Sequence, residues 1–252
     1  MSNNNLVSGY WVITGANSGI GLALAKQLNK KKKKLVLIDK NITVISNLFS
    51  NHKIIKADLS DEKQVRQIAN HLLSLPVYCL VNNAGIGFRK SFEKLEWTEI
   101  KKSIQVNIEA HVLLTKLLLK KLIRENSVIV NVASSIAYNP LPNMLMYSAT
   151  KAFVSNWSES LTYELKDTNR VITISPSGTN TGFQEAAGVK KEKEGKELLT
   201  PEFVANKIYQ SVIKKKTVVV LGFKTKLLLT FSKFIPRKFN IYFWGKIFDK
   251  MR

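Results

Sequence analysis

The chain has one cysteine, Cys79, among 252 residues, so no internal disulfide can form and a reducing compartment is expected. No uninterrupted apolar run is long enough to span a bilayer. The N-terminal stretch MSNNNLVSGYWVITG lacks a basic segment followed by an apolar one, so no secretory signal is expected and a cytoplasmic location is. Histidine is scarce: His52, His71 and His111 are scattered, none pairs with a second ligand-like residue, and no metal site is expected. Acidic residues are few, 18 against 39 lysines and arginines, which leaves a formal charge of +21. Such an excess draws a protein toward nucleic acid, anionic lipid or phosphorylated ligands. Tracts such as the five lysines at 30–34 fit lysine placed wherever the surface tolerates it. No nucleic-acid recognition motif accompanies the charge, so nucleic acid is not an expected partner.

What is present is an alternation. Apolar, β-branched runs (YWVIT, KLVLID, KIIKAD, YCLVNNAG, SVIVNVASS, RVITIS, KTVVVLG) are separated by helix-length periodic segments, including long ones at 97–123 and 144–166. This predicts an α/β fold: a Rossmann-type, doubly wound sheet of about seven parallel strands with helices on both faces. Strands apolar along their whole length agree with burial on both faces. Residues 1–222 carry this alternation and are expected to form one domain. Residues 223–252 form a basic, aromatic helical extension expected to pack on it.

VITGANSGIG joins the first strand to the first helix. Gly15, Gly19 and Gly21 surround a tight turn where a missing Cβ lets backbone approach a ligand. The helix start that follows offers free N–H groups to a pyrophosphate. A glycine turn alone is a weak signal; its position directly after the first strand of a βαβ unit strengthens it. Asp39, at the end of the second strand, can hydrogen-bond an adenosine ribose and would repel a 2′-phosphate, which favours NAD; Lys40 beside it leaves NADP open. Asp58 either accepts from an adenine amine or caps the next helix.

YSATK places Tyr147 and Lys151 four apart, on one helix face. The pair says little alone. Taken in order, TGANSGIG, DLSD, NNAG, Asn107 in QVNIEA, SSIAYNP, YSATK and SPSGTNTGF resemble the short-chain dehydrogenase/reductase family, from about Tyr10 to Phe183. The tail VVVLGFKTKLLL…FIPRKF is similar to the branch named after the DltE oxidoreductase.

The resemblance implies an NAD(P)-dependent oxidoreductase that interconverts a carbonyl and a secondary alcohol. Tyr147 would be the general acid/base, and Lys151 would lower its pKa and hold the nicotinamide ribose. Ser135 would hold the substrate oxygen, and Asn107 would support a water chain to Lys151. Ser134 has the family's usual spacing of thirteen residues before the tyrosine, but alignment from the strand favours Ser135. The resemblance also places Asn17, Ser18, Ile20, Leu59, Asn83, Ala84, Gly85, Pro176, Thr179 and Thr181 against the dinucleotide. Ser177 stands where the family usually has glycine. Family members usually form dimers or tetramers through the two long helices. A non-catalytic nucleotide sensor on the same fold is the alternative; the joint presence of Asn107, Ser135, Tyr147 and Lys151 speaks against it.

Two segments carry substrate. The charged stretch at 182–200 is expected to be a mobile lid. The tail from Phe223 mixes Lys and Arg with Leu, Phe, Tyr and Trp and admits two readings. It is an interfacial segment contacting anionic membrane, or a pair of helices, broken at Pro236, over the substrate cleft or against another subunit. An apolar lid of this kind suits a lipophilic substrate.

Overall fold

In the computed structural model of the chain, the structure describes residues 9–183, 187, 198–232 and 234–249. Most of the expected lid at 182–200 lies outside the described residues. Seven strands form one parallel sheet in the order β3-β2-β1-β4-β5-β6-β7. They are β1 (Tyr10–Thr14), β2 (Leu35–Asp39), β3 (Lys53–Lys56), β4 (Val77–Asn82), β5 (Val128–Val132), β6 (Arg170–Ser175) and β7 (Val218–Val220). At the centre Val12 pairs with Val36 on one side and Leu80 on the other, and the β1–β4 register shifts between Tyr10 and Trp11.

Alternate residues of each strand feed two apolar layers. Trp11 and Ile13 pack with α1 (Gly19–Lys30) through Leu24 and Leu28, and with the helix Pro201–Ile213 through Ile208 and Val212. Val12 and Leu80 face the other way, onto α3 (Glu62–Leu73) and α5 (Ala110–Arg124) through Ile68, Leu72, Leu114 and Leu118. This two-sided burial is why the central strands β1, β2 and β4 are apolar on both faces rather than alternating. α2 is Thr43–Leu48, and α4 (Trp97–Ile104), which precedes α5 in the chain, is opened by a capping box of Glu96 and Glu99. α6 (Leu145–Glu164) follows β5; Pro201–Ile213 is α7, with Pro201 in its first turn and the Thr200 hydroxyl accepting from Phe203 N at 3.1 Å. The tail forms α8 (Phe223–Ser232) and α9 (Arg237–Asp249), separated at Pro236.

The strand order reverses direction between β1 and β4, so the crevice for a ligand lies there, at the carboxyl ends of the strands. The expected helix at 97–123 is interrupted by a π turn, Gln105–Glu109, which carries Asn107. Single π turns inside helices mark places where a side chain must be re-aimed.

Candidate active site

The glycine turn is shaped by its neighbours. Gly15 has φ +67°, a left-handed conformation that favours glycine. A Cβ on Gly21 would lie 2.1 Å from the Gly15 carbonyl oxygen, so only glycine lets α1 start this close to β1. Thr14 and Asn83 lock the turn to the end of β4. The Thr14 hydroxyl accepts from Asn83 N at 3.0 Å and Ala84 N at 3.1 Å, and the Asn83 side chain donates to Thr14 O and Gly15 O at 2.9 and 3.2 Å. Asn82 donates to Thr115 and Asn131, so NNAG braces the sheet and shapes the cleft together.

A cleft of about 1460 Å³ runs along the strand ends. That exceeds the usual room for one small ligand and fits a dinucleotide with a substrate beside it. Gly15, Ser18, Gly19 and Ile20 line it at the start of α1; the Ser18 side chain makes no capping bond there. Asp39, Lys40, Asp58 and Leu59 line its far end. Both Asp39 oxygens accept backbone N–H groups, from Asn17 and Asn41, each at 3.0 Å. Asp58 accepts from the backbone N–H and hydroxyl of Ser60, which, with the cations of Lys102 and Lys40, hold its carboxyl below the ordinary value despite opposing burial. The next helix is capped instead by Asp61, so the capping reading of Asp58 fails. Asn17 and Gly21 do not line the cleft. The Asn17 carbonyl accepts from Val44 N and Ile45 N, satisfying the start of α2, so this residue supports Asp39 from behind rather than facing a ligand.

At the other end, Ala84, Gly85, Ser134, Ser135, Tyr147 and Lys151 converge. Ser134 and Ser135 both line the cleft; of the two, a Ser134 side-chain hydrogen bond acts on the Tyr147 phenol, which speaks for Ser134 beside the expected Ser135. Ser135 opens a short 3-10 turn (Ser135–Tyr138) and its backbone N–H donates to Pro176 O at 2.8 Å. The Tyr147 ring packs against Phe183, with centroids 4.8 Å apart, and over Gly87.

Lys151 is buried, and its ammonium donates to Val132 O at 2.8 Å. No carboxylate pairs with it among the described residues, and burial pulls its pKa down to about 8. Burial pushes the Tyr147 phenol up to about 12, with the Ser134 bond opposing. This is opposite to the depression expected from Lys151: burial disfavours the phenolate, and the Ser134 bond is what opposes it.

Asn107 is fully buried and does not line the cleft. Its carbonyl accepts from Ile86 N at 2.9 Å, and its amide donates to Ile86 O at 2.8 Å and to the Thr150 hydroxyl at 3.0 Å. Both side-chain donors are used, so the side chain clamps the chain after NNAG to the helix of Tyr147. His111, given no role by sequence, sits one turn further on. One ring nitrogen meets Ala84 O at 2.9 Å, while burial and the Lys151 cation lower its pKa to about 3, so it is neutral. Nothing in a lone histidine signals this; the only available hint was its place four residues after Asn107 on one helix face.

Beyond β6, Pro176, Thr179 and Thr181 line the cleft. Thr181 faces the glycine turn closely enough that a Cβ on Gly19 would lie 3.1 Å from its methyl. Ser177 turns its side chain toward Gly222, where a Cβ would lie 2.7 Å from its hydroxyl, and its N–H donates to Leu221 O. The departure from the family's glycine therefore ties this turn to the entry of the tail. The tail in turn reaches the cleft: Leu228, Leu229 and Trp244 join Leu141, Met144 and Phe183 as an apolar wall beside Tyr147.

Known proteins with this arrangement point the same way. The short chain dehydrogenase family model matches residues 10–192. The 17-beta-hydroxysteroid dehydrogenase type 3 of Mus musculus is 32% identical over 204 residues, 76% of this chain and 67% of that protein. The very-long-chain 3-oxoacyl-CoA reductase of Mus musculus is 34% identical over 172 residues, 63% of this chain and 55% of that protein. The chain thus matches about half to two thirds of the length of these relatives. The solved short-chain dehydrogenase from Sphingobium yanoikuyae in complex with NADPH has a TM-score of 0.80 at 24% identity, covering 84% of this chain and 87% of that one, a likeness of fold. The 3-ketoacyl-(acyl-carrier-protein) reductase from Brucella melitensis complexed with NADH has a TM-score of 0.77 at 26% identity, covering 86% and 98%. The family match spans the glycine turn, Asn107, Ser134, Tyr147 and Lys151 alike, and the chain belongs to the short chain dehydrogenase family as an NAD(P)-dependent oxidoreductase acting between carbonyl and alcohol.

Proposed function

We propose that the chain, in the cytoplasm, reduces the ketone of a lipophilic molecule to a secondary alcohol and uses NADH in preference to NADPH. The observation that carries this is the convergence of Tyr147, Ser134 and Lys151 between the nucleotide end of the cleft and the apolar wall of Leu141, Met144, Phe183, Leu229 and Trp244. Hydride exchange is the chemistry a nicotinamide supplies when bound. The rest falls to this chain. Ser134 and Tyr147 would donate hydrogen bonds to the carbonyl oxygen, and that oxygen would take the Tyr147 proton as the alcohol forms. A phenol held as the acid suits reduction. Lys151, an ammonium at neutral pH, offsets the negative charge left as that proton departs. Asn107 positions the Tyr147 helix against the cleft.

The names of the hydroxysteroid and very-long-chain acyl relatives support a bulky apolar substrate. Asp39 supports NADH, because its carboxylate would repel a 2′-phosphate. Residues 1–222 act as the cofactor-binding catalytic unit, and 223–252 complete its substrate wall. Exposed Trp97 on α4 and Phe153 and Tyr163 on α6 support assembly into a homodimer or homotetramer through the long helices.

A fluorescence titration with NADH and NADPH, followed by a carbonyl panel graded by size and polarity, tests the reading. NADH is expected to bind at least about tenfold tighter, a difference of about 1.4 kcal/mol, and turnover to rise with apolar bulk. Tighter NADPH binding would remove the Asp39 argument, and turnover confined to small polar carbonyls would remove the lipophilic one. The two serines separate cleanly. Ser134→Ala is expected to lower kcat/KM by about 10²-fold, the usual loss for one donor to a developing oxyanion. Ser135→Ala should stay within about threefold, since its backbone rather than its hydroxyl is engaged.

A further inference from the structure

The outer face of α8 and α9 is apolar where a surface helix is ordinarily polar. On α8, Phe223, Leu227 and Phe231 follow one another at four-residue spacing, exposed by 84%, 55% and 65%. Phe234 continues the stripe at 83% exposure, and Phe239 and Tyr242 carry it onto α9 at 64% and 67%. The inner face of α8 is apolar as well, with Leu229 buried against the cleft wall. Isolated exposed apolar groups are ordinary, but a contiguous stripe of this size marks an interaction surface.

Cations flank the stripe. Lys226, Arg237, Lys238 and Lys246 are exposed and make no ion pair among the described residues. Across 223–252 the sequence holds eight lysines and arginines and one acidic residue, Asp249. A second copy presenting the same face would bring like charges together. Aliphatic groups such as Leu227 and Ile241, exposed among the aromatics, give no platform for stacked bases. Aromatic and aliphatic groups ringed by cations match the boundary between headgroups and acyl chains of an anionic bilayer.

We propose that this face of α8 and α9 docks on a bilayer containing anionic phospholipid, with the mouth of the substrate cleft alongside it. The same two helices meet lipid on the outside and line the cleft on the inside through Leu228, Leu229 and Trp244. A lipophilic substrate therefore passes from membrane to cleft without crossing water. No described helix is long and apolar enough to cross a membrane.

The test sediments the full chain with vesicles of phosphatidylcholine alone or with one third phosphatidylglycerol, at low and high salt. Binding to the anionic vesicles is expected to be at least tenfold stronger and to weaken with salt. The triple change Phe231→Ser, Phe234→Ser, Phe239→Ser and the triple change Lys226→Gln, Arg237→Gln, Lys238→Gln should each lower that binding at least tenfold. These side chains do not line the cleft, so NADH titration should be unchanged in both. Equal binding to the two vesicle types, or full binding retained by both variants, overturns the proposal. So does a phenylalanine variant that lowers the oligomeric mass while leaving vesicle binding intact, which would assign the face to a second copy. Retention on single-stranded RNA without vesicle binding overturns it too. None of these readouts requires turnover, so they stand apart from the choice of substrate.

Discussion

Tyr147→Phe is expected to lower kcat for carbonyl reduction by about 10³-fold, within the range general acid catalysis supplies, while leaving the NADH titration unchanged. The substitution removes one oxygen and keeps the ring. Phenylalanine fills the same slot between Phe183 and Gly87, so the helix carrying Lys151 stays in place. What disappears is the proton donor and the hydrogen bond shared with Ser134. The pH profile supplies a second readout that a merely structural role would not move. In the wild type the phenol is held near 12 and stays protonated through the working range. Lys151, near 8, is the group that titrates. Reduction should therefore be flat below about pH 7 and fall above about pH 8, as the ammonium that offsets the departing proton's charge is lost. In Tyr147→Phe the residual rate should lose that dependence. A variant that retained full turnover, or lost NADH binding along with it, would place the proton transfer elsewhere.

The parts of this site that sequence made legible share a property: each depends on a residue's type and its distance along the chain. The glycine turn after β1, Asp39 at the end of β2 and the Tyr147–Lys151 pair on one helix face are of this kind, and the seven β-branched runs became the seven strands. What was not legible depends on packing. The π turn at Gln105–Glu109 changes no apolar period, yet it is what turns Asn107 onto Ile86 and Thr150. Ser134 and Ser135 are adjacent hydroxyls, and only the path of the chain out of β5 decides which meets Tyr147. Asn17 sits inside the motif that binds nucleotide but spends its carbonyl on the start of α2, a helix too short to be firm in the sequence. The direction of the tyrosine shift also failed, because a cation four residues away is visible in sequence and the burial that raises the phenol is not. The tail was read as either lid or interfacial segment; its inner residues line the cleft while its outer ones remain exposed.

Lys151→Met is expected to abolish turnover, by about 10²-fold or more, and yet to raise the melting temperature by roughly 2–6 °C near pH 7. The argument runs from burial. Lys151 is 3% exposed, pairs with no carboxylate among the described residues, and donates to Val132 O. The drop of its pKa from 10.5 to about 8 means that folding penalises the charged form by about 3 kcal/mol. Methionine has nearly the same length and bears no charge, so the penalty disappears. Against that, Val132 O loses its donor in a buried place, which costs about 1–3 kcal/mol, so the balance is a gain of at most about 2 kcal/mol. The sign with pH follows from linkage. A base whose folded pKa is depressed destabilises fully below that pKa, and the destabilisation fades as pH rises from about 8 toward the unfolded value of 10.5. The advantage of Lys151→Met should therefore be greatest at and below pH 7 and shrink above pH 8. His111, whose neutrality owes part of its cause to the Lys151 cation, stays neutral in the variant because burial is the larger cause. A melting temperature that fell in Lys151→Met at pH 7, or a difference that grew with pH, would mean that the ammonium is solvated or paired in solution. The site would then hold its cation without strain, and the proton-transfer account would lose the titrating group on which its pH dependence rests.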